Sequence, residues 1–309
     1  MSYASEYHTP AMVAEVLHYL RPERGGVYLD GTLGGGGHAA AILAASPAAR
    51  LIGVDRDPDA LAEAGRRLAG YGDRARLIRA NYAEAVGAAG LGAGALAGAL
   101  LDLGISSHQI AVEDRGFTVR PGAPLDMRMA GEAGEASAAE LLNELPEEEL
   151  ATIFYRFGEE RRSRRLARVI AEMRSEAPMA RSEQLVAAID RAIPRATIQD
   201  RARIFQALRI AVNREIEGLE AALPALREAL APGGVLVVLS YHSLEDRIVK
   251  DAFREWSREC VCPPGLPVCR CRGSALGTAL TRKPVMASPA EVELNSRARS
   301  ARLRAWRKA

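Results

Sequence analysis

Four side chains able to hold a nucleotide-like cofactor recur in the first third of the chain: Asp30, Asp55, Tyr82 and Asp102. Each follows a short apolar run, in Tyr28-Leu29-Asp30, Ile52-Gly53-Val54-Asp55, Ala80-Asn81-Tyr82 and Leu100-Leu101-Asp102. An acid at the end of a second strand suits ribose hydroxyls, and an aromatic ring at the end of a third suits stacking on adenine. Asp55 could alternatively be a helix cap or a surface acid. Between the first two acids lies Gly34-Gly35-Gly36-Gly37-His38. A run without Cβ atoms accepts positive φ and lets the backbone approach a ligand, and a helix N-terminus just beyond it offers free N–H groups. Gly34, Gly36 and Ala39 also satisfy the loose dinucleotide pattern G-x-G-x-x-G/A, so the glycines alone leave the cofactor undecided. Asp30, in an Asp-x-Thr-x-Gly-x-Gly context, tilts the choice toward a methyl-donor loop, although Thr32 stands where methyltransferases usually carry another glycine.

These residues need a frame that brings strand ends together. From residue 27 to 103 short apolar runs alternate with helix-like stretches, the pattern of a parallel sheet covered by helices. Strands are expected at 26–30, 51–54, 75–79 and 96–101, with Asp57 capping a helix that has Pro58 at its first position. Open parallel sheets bind ligands at the carboxyl ends of their strands, so the four residues should converge on one crevice. After Asp102 the alternation stops. Helical patterns at 138–145, 161–174 and 182–192 predict a helical insertion over residues 106–202 within a sheet domain made of 1–105 and 203–309. The sheet pattern resumes with one long helix at 203–230, ended by Pro232-Gly233-Gly234, and a strand at 235–239. Segments 279–286 and 301–306 could supply a closing pair of strands. The fold class is therefore α/β, an open parallel Rossmann-like sheet with a helical insertion domain.

With 309 residues, 48% of them hydrophobic, the chain can bury a sizeable core and is long for one compact unit. No apolar run approaches a membrane span and no basic-apolar leader opens the sequence, so a cytoplasmic protein without membrane partners is expected. A net charge of +2 does not by itself imply a polyanionic partner. Arginine nevertheless outnumbers acid between Arg156 and Arg214, and no acid occurs between Arg297 and Lys308. Such stretches are either solvated faces or phosphate contacts. Cys260, Cys262, Cys269 and Cys271 form two C-x-C pairs around a proline-rich turn. They could close a tetrahedral zinc site or be ordinary reduced thiols of a surface loop, since the spacing differs from C-x-x-C knuckles. No metal is assigned to the cofactor or catalytic residues.

Taken in order, several further motifs resemble the RsmH (MraW) family. They are Asp55-Arg56-Asp57-Pro58, Leu101-Asp102-Leu103-Gly104-Ile105-Ser106-Ser107, Asp114-Arg115-Gly116-Phe117, Pro124-Leu125-Asp126-Met127-Arg128-Met129, Gly158-Glu159-Glu160-Arg161, Phe205-Gln206-Ala207-Leu208-Arg209-Ile210-Ala211-Val212-Asn213 and His242-Ser243-Leu244-Glu245-Asp246-Arg247. The resemblance covers nearly the whole chain and implies a class I (Rossmann-like) methyltransferase sheet with a helical insertion domain. It implies an S-adenosyl-L-methionine-dependent methyltransferase acting on N4 of a decoding-centre cytidine, cytidine 1402, in 16S ribosomal RNA of the small subunit. It further implies cofactor contacts from Gly36, Gly37, His38, Asp55, Tyr82, Asp102 and Gln109, and an RNA-recognition role for the insertion. Tyr241 stands where the family more often has Phe, and Ile198-Gln199-Asp200-Arg201 departs from the usual segment, which bears on local RNA contacts.

The chemistry expected of such an enzyme centres on Asp102 and His242. The N4 amine of cytosine is a weak nucleophile, and an acceptor at Asp102 would raise its electron density while position and orientation supply much of the rate. His242 would orient the base or cap the helix that begins beside Ser243. The target base has to leave its stack, with residues 124–129 as a candidate lid. A nicotinamide-dependent oxidoreductase and a nucleic-acid-binding protein with an inactive pocket are the rival readings. The oligomeric state is open, a homodimer included.

Overall fold

The computed structural model describes residues 9–105, 112–131, 135–263, 268 and 270–309. In chain order its helices and strands are α1 (Val13–Leu20), β1 (Gly26–Asp30), α2 (Gly37–Ala45), β2 (Ala49–Asp55), α3 (Pro58–Leu68), β3 (Ala75–Arg79), α4 (Ala85–Ala88) and β4 (Leu96–Asp102). There follow α5 (Ala138–Glu144), α6 (Glu147–Arg156), α7 (Ser163–Glu176), α8 (Ser182–Ala192), α9 (Ile198–Asn213) and α10 (Glu215–Ala229). The chain closes with β5 (Leu230–Ser240), α11 (Ser243–Trp256), β6 (Gly277–Ala279), β7 (Val285–Met286), α12 (Pro289–Leu294) and β8 (Arg302–Lys308). It divides into two compact units, Met1–Gly104 with Glu217–Ala309, and Ile105–Ile216.

The first unit is built on a sheet of order β3-β2-β1-β4-β5-β8-β6, with β7 also paired to β8. Strands β1 to β5 are parallel neighbours, and β8 runs against β5, β6 and β7. Because helices cover both faces, the inner strands are apolar on both sides rather than alternating. One face packs Leu100, Val237 and Leu303 with Val16, Ile42 and Leu68 of α1 to α3. The other packs Leu101, Val238 and Trp306 with Leu223 of α10 and Phe253 of α11. As expected, Asp57 caps α3 by accepting from Asp59 N at 3.1 Å, and Pro58 opens it.

The second unit has its own core, in which Phe154, Leu166, Ile170, Leu185 and Leu208 are wholly buried. Residues 124–129, expected as a lid, are instead anchored within it. Leu125 N donates to Ala180 O at 3.0 Å and Met127 N to Arg115 O at 3.1 Å. The buried Asn213 accepts from Met129 N at 2.9 Å and donates to Met127 O at 2.7 Å. A segment whose Leu125 and Met127 side chains are 1% exposed cannot swing without opening that core.

Two further expectations change. The helix predicted over 203–230 is two helices, broken at Arg214, which adopts φ 50°. Arg209 and Glu215 explain the break: their buried side chains meet through paired bonds of 2.8 Å. Positions six apart in a continuous helix face away from one another, so the turn is what lets them pair. Segment 279–286 is not one strand: Ala279 ends β6 and Val285–Met286 form β7, and the two strands pair with different stretches of β8. Arg302–Lys308 of the basic C-terminal run form β8, and Arg304 is buried against Asp246 at 2.6 Å rather than offered to a polyanion. No helix among the described residues is long and apolar enough to cross a membrane.

Candidate active site

The loop after β1 is organised by two carboxylates. Asp30, 1% exposed, accepts from Thr32 N at 3.2 Å, and burial pushes its carboxyl up to about 7, opposed by His38 and increased by Asp102 and Asp55. Gly34, at φ 50°, turns the backbone so that its N–H donates to Asp55 Oδ2 at 2.8 Å. Asp57 N donates to the other oxygen, Oδ1, at 2.9 Å. Desolvation raises the Asp55 pKa while these amides hold it down. Asp55 thus ties the glycine loop to the turn that starts α3.

At the end of β4, Asp102 N donates to Thr32 Oγ1 at 2.6 Å, which draws the first loop onto the fourth strand. Its carboxylate lies between two rings. Tyr241 donates its hydroxyl proton to Oδ1 at 2.7 Å, and His38 Nδ1 stands 3.6 Å from Oδ2. His38 Nε2 is 2.8 Å from Ala11 O, and because a carbonyl only accepts, Nε2 carries the proton of that bond. Burial first, and then Asp102, raises the Tyr241 pKa well above its ordinary 10.0, so the phenol remains a donor.

The remaining expected site residues have mixed surroundings. A Cβ on Gly36 would come within 3.3 Å of Ala64, and one on Gly37 within 2.8 Å of Pro10. These two glycines let α3 and the N-terminal segment pack closely, whereas a Cβ on Gly34 meets nothing nearer than 4.0 Å. Tyr82 packs its ring edge by Gly218, whose Cβ would lie 3.2 Å from the hydroxyl oxygen. His242 is the N-cap of α11, with Glu245 N 3.5 Å from Nδ1. Its Nε2 lies 3.0 Å from Glu245 Oε1, at ion-pair distance but without hydrogen-bond alignment. Gln109 lies outside the described residues, as does Cys269. A cavity of about 550 Å³ lined by Arg21, Arg24, Tyr28 and Gly233 adjoins the amino ends of β1 and β5, away from the strand-end acids.

The model of the MraW methylase family matches residues 5–309. The chain belongs to the MraW methylase family. It is 52% identical to the ribosomal RNA small subunit methyltransferase H of Heliobacterium modesticaldum, covering 98% of each chain. It is 51% identical to the protein of the same name from Gemmatimonas aurantiaca, over 98% of this chain and 96% of that one. A solved rRNA methylase from Streptococcus thermophilus superposes with a TM-score of 0.43 at 11% identity, over 95% of this chain and 94% of that one.

Membership makes this chain a methyltransferase and S-adenosylmethionine its methyl donor, in place of the dinucleotide that the glycine spacing alone admitted. Within an MraW methylase built this way, two residues matter that were not among the expected site residues. Thr32 joins the ends of β1 and β4, and its sequence signal was that it replaces a usual glycine. Tyr241 holds Asp102, and its signal was the replacement of a usual Phe. Both signals mark an unusual residue, but neither names the partner.

Proposed function

We propose that this MraW-family chain methylates N4 of a decoding-centre cytidine in small-subunit 16S ribosomal RNA, acting in the cytoplasm. The observation that carries the reading is the gathering of Asp30, Asp55 and Asp102 at the carboxyl ends of β1, β2 and β4, where Asp102 and Asp55 both oppose ionisation of the buried Asp30. Three carboxylates gathered at adjacent strand ends favour a cationic ligand and oppose the pyrophosphate of a dinucleotide. This chain's residues fit a sulfonium cofactor: Asp55 for ribose hydroxyls, the Gly34 turn for close backbone approach, and Asp30 for the cationic portion. When bound, that group supplies an electrophilic methyl.

The protein's own task is then orientation and proton management. Asp102 accepts a hydrogen bond from the N4 amine, increasing electron density on the nitrogen as it attacks. Tyr241 occupies Oδ1 and fixes the carboxylate plane, which leaves Oδ2, on the His38 side, as the acceptor. His242 acts as a positioning residue by setting the start of α11 directly after β5. The second unit is assigned RNA recognition on its charge. Arg161, Arg162, Arg164, Arg165 and Arg168 are all exposed at or within the first turns of α7, a concentration suited to phosphate.

The test is methyl transfer from labelled S-adenosylmethionine to small subunits and to naked 16S RNA from cells lacking the protein, with the product nucleoside identified by mass. N4-methylcytidine at a single decoding-centre position supports the reading. Label on another base or on protein would overturn the substrate while leaving the donor in place.

A further inference from the structure

The segment between α11 and β6 runs from Trp256 to Gly277 with no helix or strand among its described residues, an unusual length for a loop in a compact domain. Its base is closed by Leu276 N donating to Trp256 O at 2.9 Å. Arg272 braces it further, donating to Glu255 Oε1 at 2.8 Å, Arg258 O at 3.0 Å and Ser274 O at 3.1 Å. Above these ties the sulfur atoms of Cys260, Cys262 and Cys271 all lie within 4.8 Å of one another. Four thiolates around tetrahedral zinc, each at about 2.3 Å, stand about 3.8 Å apart, so a small contraction reaches metal-site spacing.

The backbone is arranged for thiolates as well. Val261, the middle residue of the first C-x-C, donates its N–H to Cys271 Sγ at 3.3 Å. Arg270, just before Cys271, donates its N–H to Cys262 Sγ at 3.4 Å. Each arm of the loop thereby directs an amide at a sulfur of the other, and hydrogen bonds to the charged form favour it. A reducing compartment disfavours a disulfide between these sulfurs.

We propose that Cys260, Cys262 and Cys271 supply three of the four ligands of a structural zinc ion that locks this loop. The site is structural rather than catalytic because α11 has 14 residues, about 21 Å of helix, and separates the loop from the Asp102 end of the sheet. Zinc binding would supply folding energy to this segment.

The experiment is metal analysis of the full-length protein purified without chelators or immobilised metal, beside Cys262→Ser and Cys271→Ser. About one zinc per wild-type chain is expected, falling to background in both variants. Independently of how the variants fold, replacing zinc in the wild type with cobalt should give intense thiolate-to-cobalt charge-transfer bands and a tetrahedral spectrum. Background zinc in the wild type overturns the site, as does zinc retained by both variants, a cobalt spectrum lacking thiolate bands, or an intact mass showing oxidised cysteines without metal.

Discussion

The hydroxyl of Tyr241 donates a 2.7 Å hydrogen bond to Oδ1 of Asp102, joining the residue after β5 to the last residue of β4 across 139 positions of sequence. Removing the hydroxyl in Tyr241→Phe leaves the ring and its packing against Gly104 in place. The net worth of such a bond is about 0.5–1.5 kcal/mol, so turnover should fall about 2- to 10-fold with S-adenosylmethionine affinity nearly unchanged. Asp102→Asn should cost far more turnover than Tyr241→Phe. Single-turnover rates and cofactor titration separate the effects, and full activity of Asp102→Asn would remove its acceptor role.

Asp30 sets a pH dependence. Its carboxyl titrates at about 7 in the folded chain, against an ordinary 3.8, because it is desolvated. A raised pKa means that the folded state holds the proton more tightly, so stability is full below pH 3.8 and declines as pH rises through 7. Asp30→Asn should match the wild type at low pH and be the more stable protein at pH 8, by at most roughly 4 kcal/mol. Parallel denaturant titrations test this, and pH-independent equality would refute it.

The same group should couple to the ligand. A cationic sulfonium favours ionised Asp30, so S-adenosylmethionine should bind more tightly as pH rises through about 7. S-adenosylhomocysteine, which lacks the sulfonium charge, should show a smaller dependence. Calorimetry in buffers of different ionisation enthalpy would count the protons released, and identical counts for the two ligands would contradict the assignment.

The glycines of the loop should separate by mechanism. Gly37→Ala forces Pro10 away from a 2.8 Å clash and disturbs the segment whose Ala11 carbonyl meets His38, so a loss of about 1–3 kcal/mol in stability is expected. Gly34→Ala has open space but must hold φ 50°, which costs about 1 kcal/mol and acts on the loop that bonds Asp55. Thermal unfolding ranks the two, and a greater loss from Gly34→Ala would reverse the packing argument.

For the second unit, replacing Arg161, Arg164 and Arg165 together by Ala should leave stability nearly unchanged, since all three are exposed. RNA affinity should fall, and the slope of log K against log salt should become shallower by about 2 to 3. Filter binding across a salt series measures this directly; an unaltered slope would move the RNA contact elsewhere.

What the sequence determined by itself was local. The parallel strands were legible because their apolar runs are buried on both faces, and the cap at Asp57 because capping depends on a few consecutive residues. The acids of the site could be picked out because each ends such a run. Tertiary structure decided what depends on distant partners. It turned the chain at Arg214 so that Arg209 could meet Glu215, and held residues 124–129 in the core through Asn213. It also joined Thr32 and Tyr241 to Asp102. Hydrophobic period and turn chemistry report the conformation of a few neighbouring residues, whereas a hydrogen bond spanning 70 or 139 positions exists only once the whole sheet has set its register.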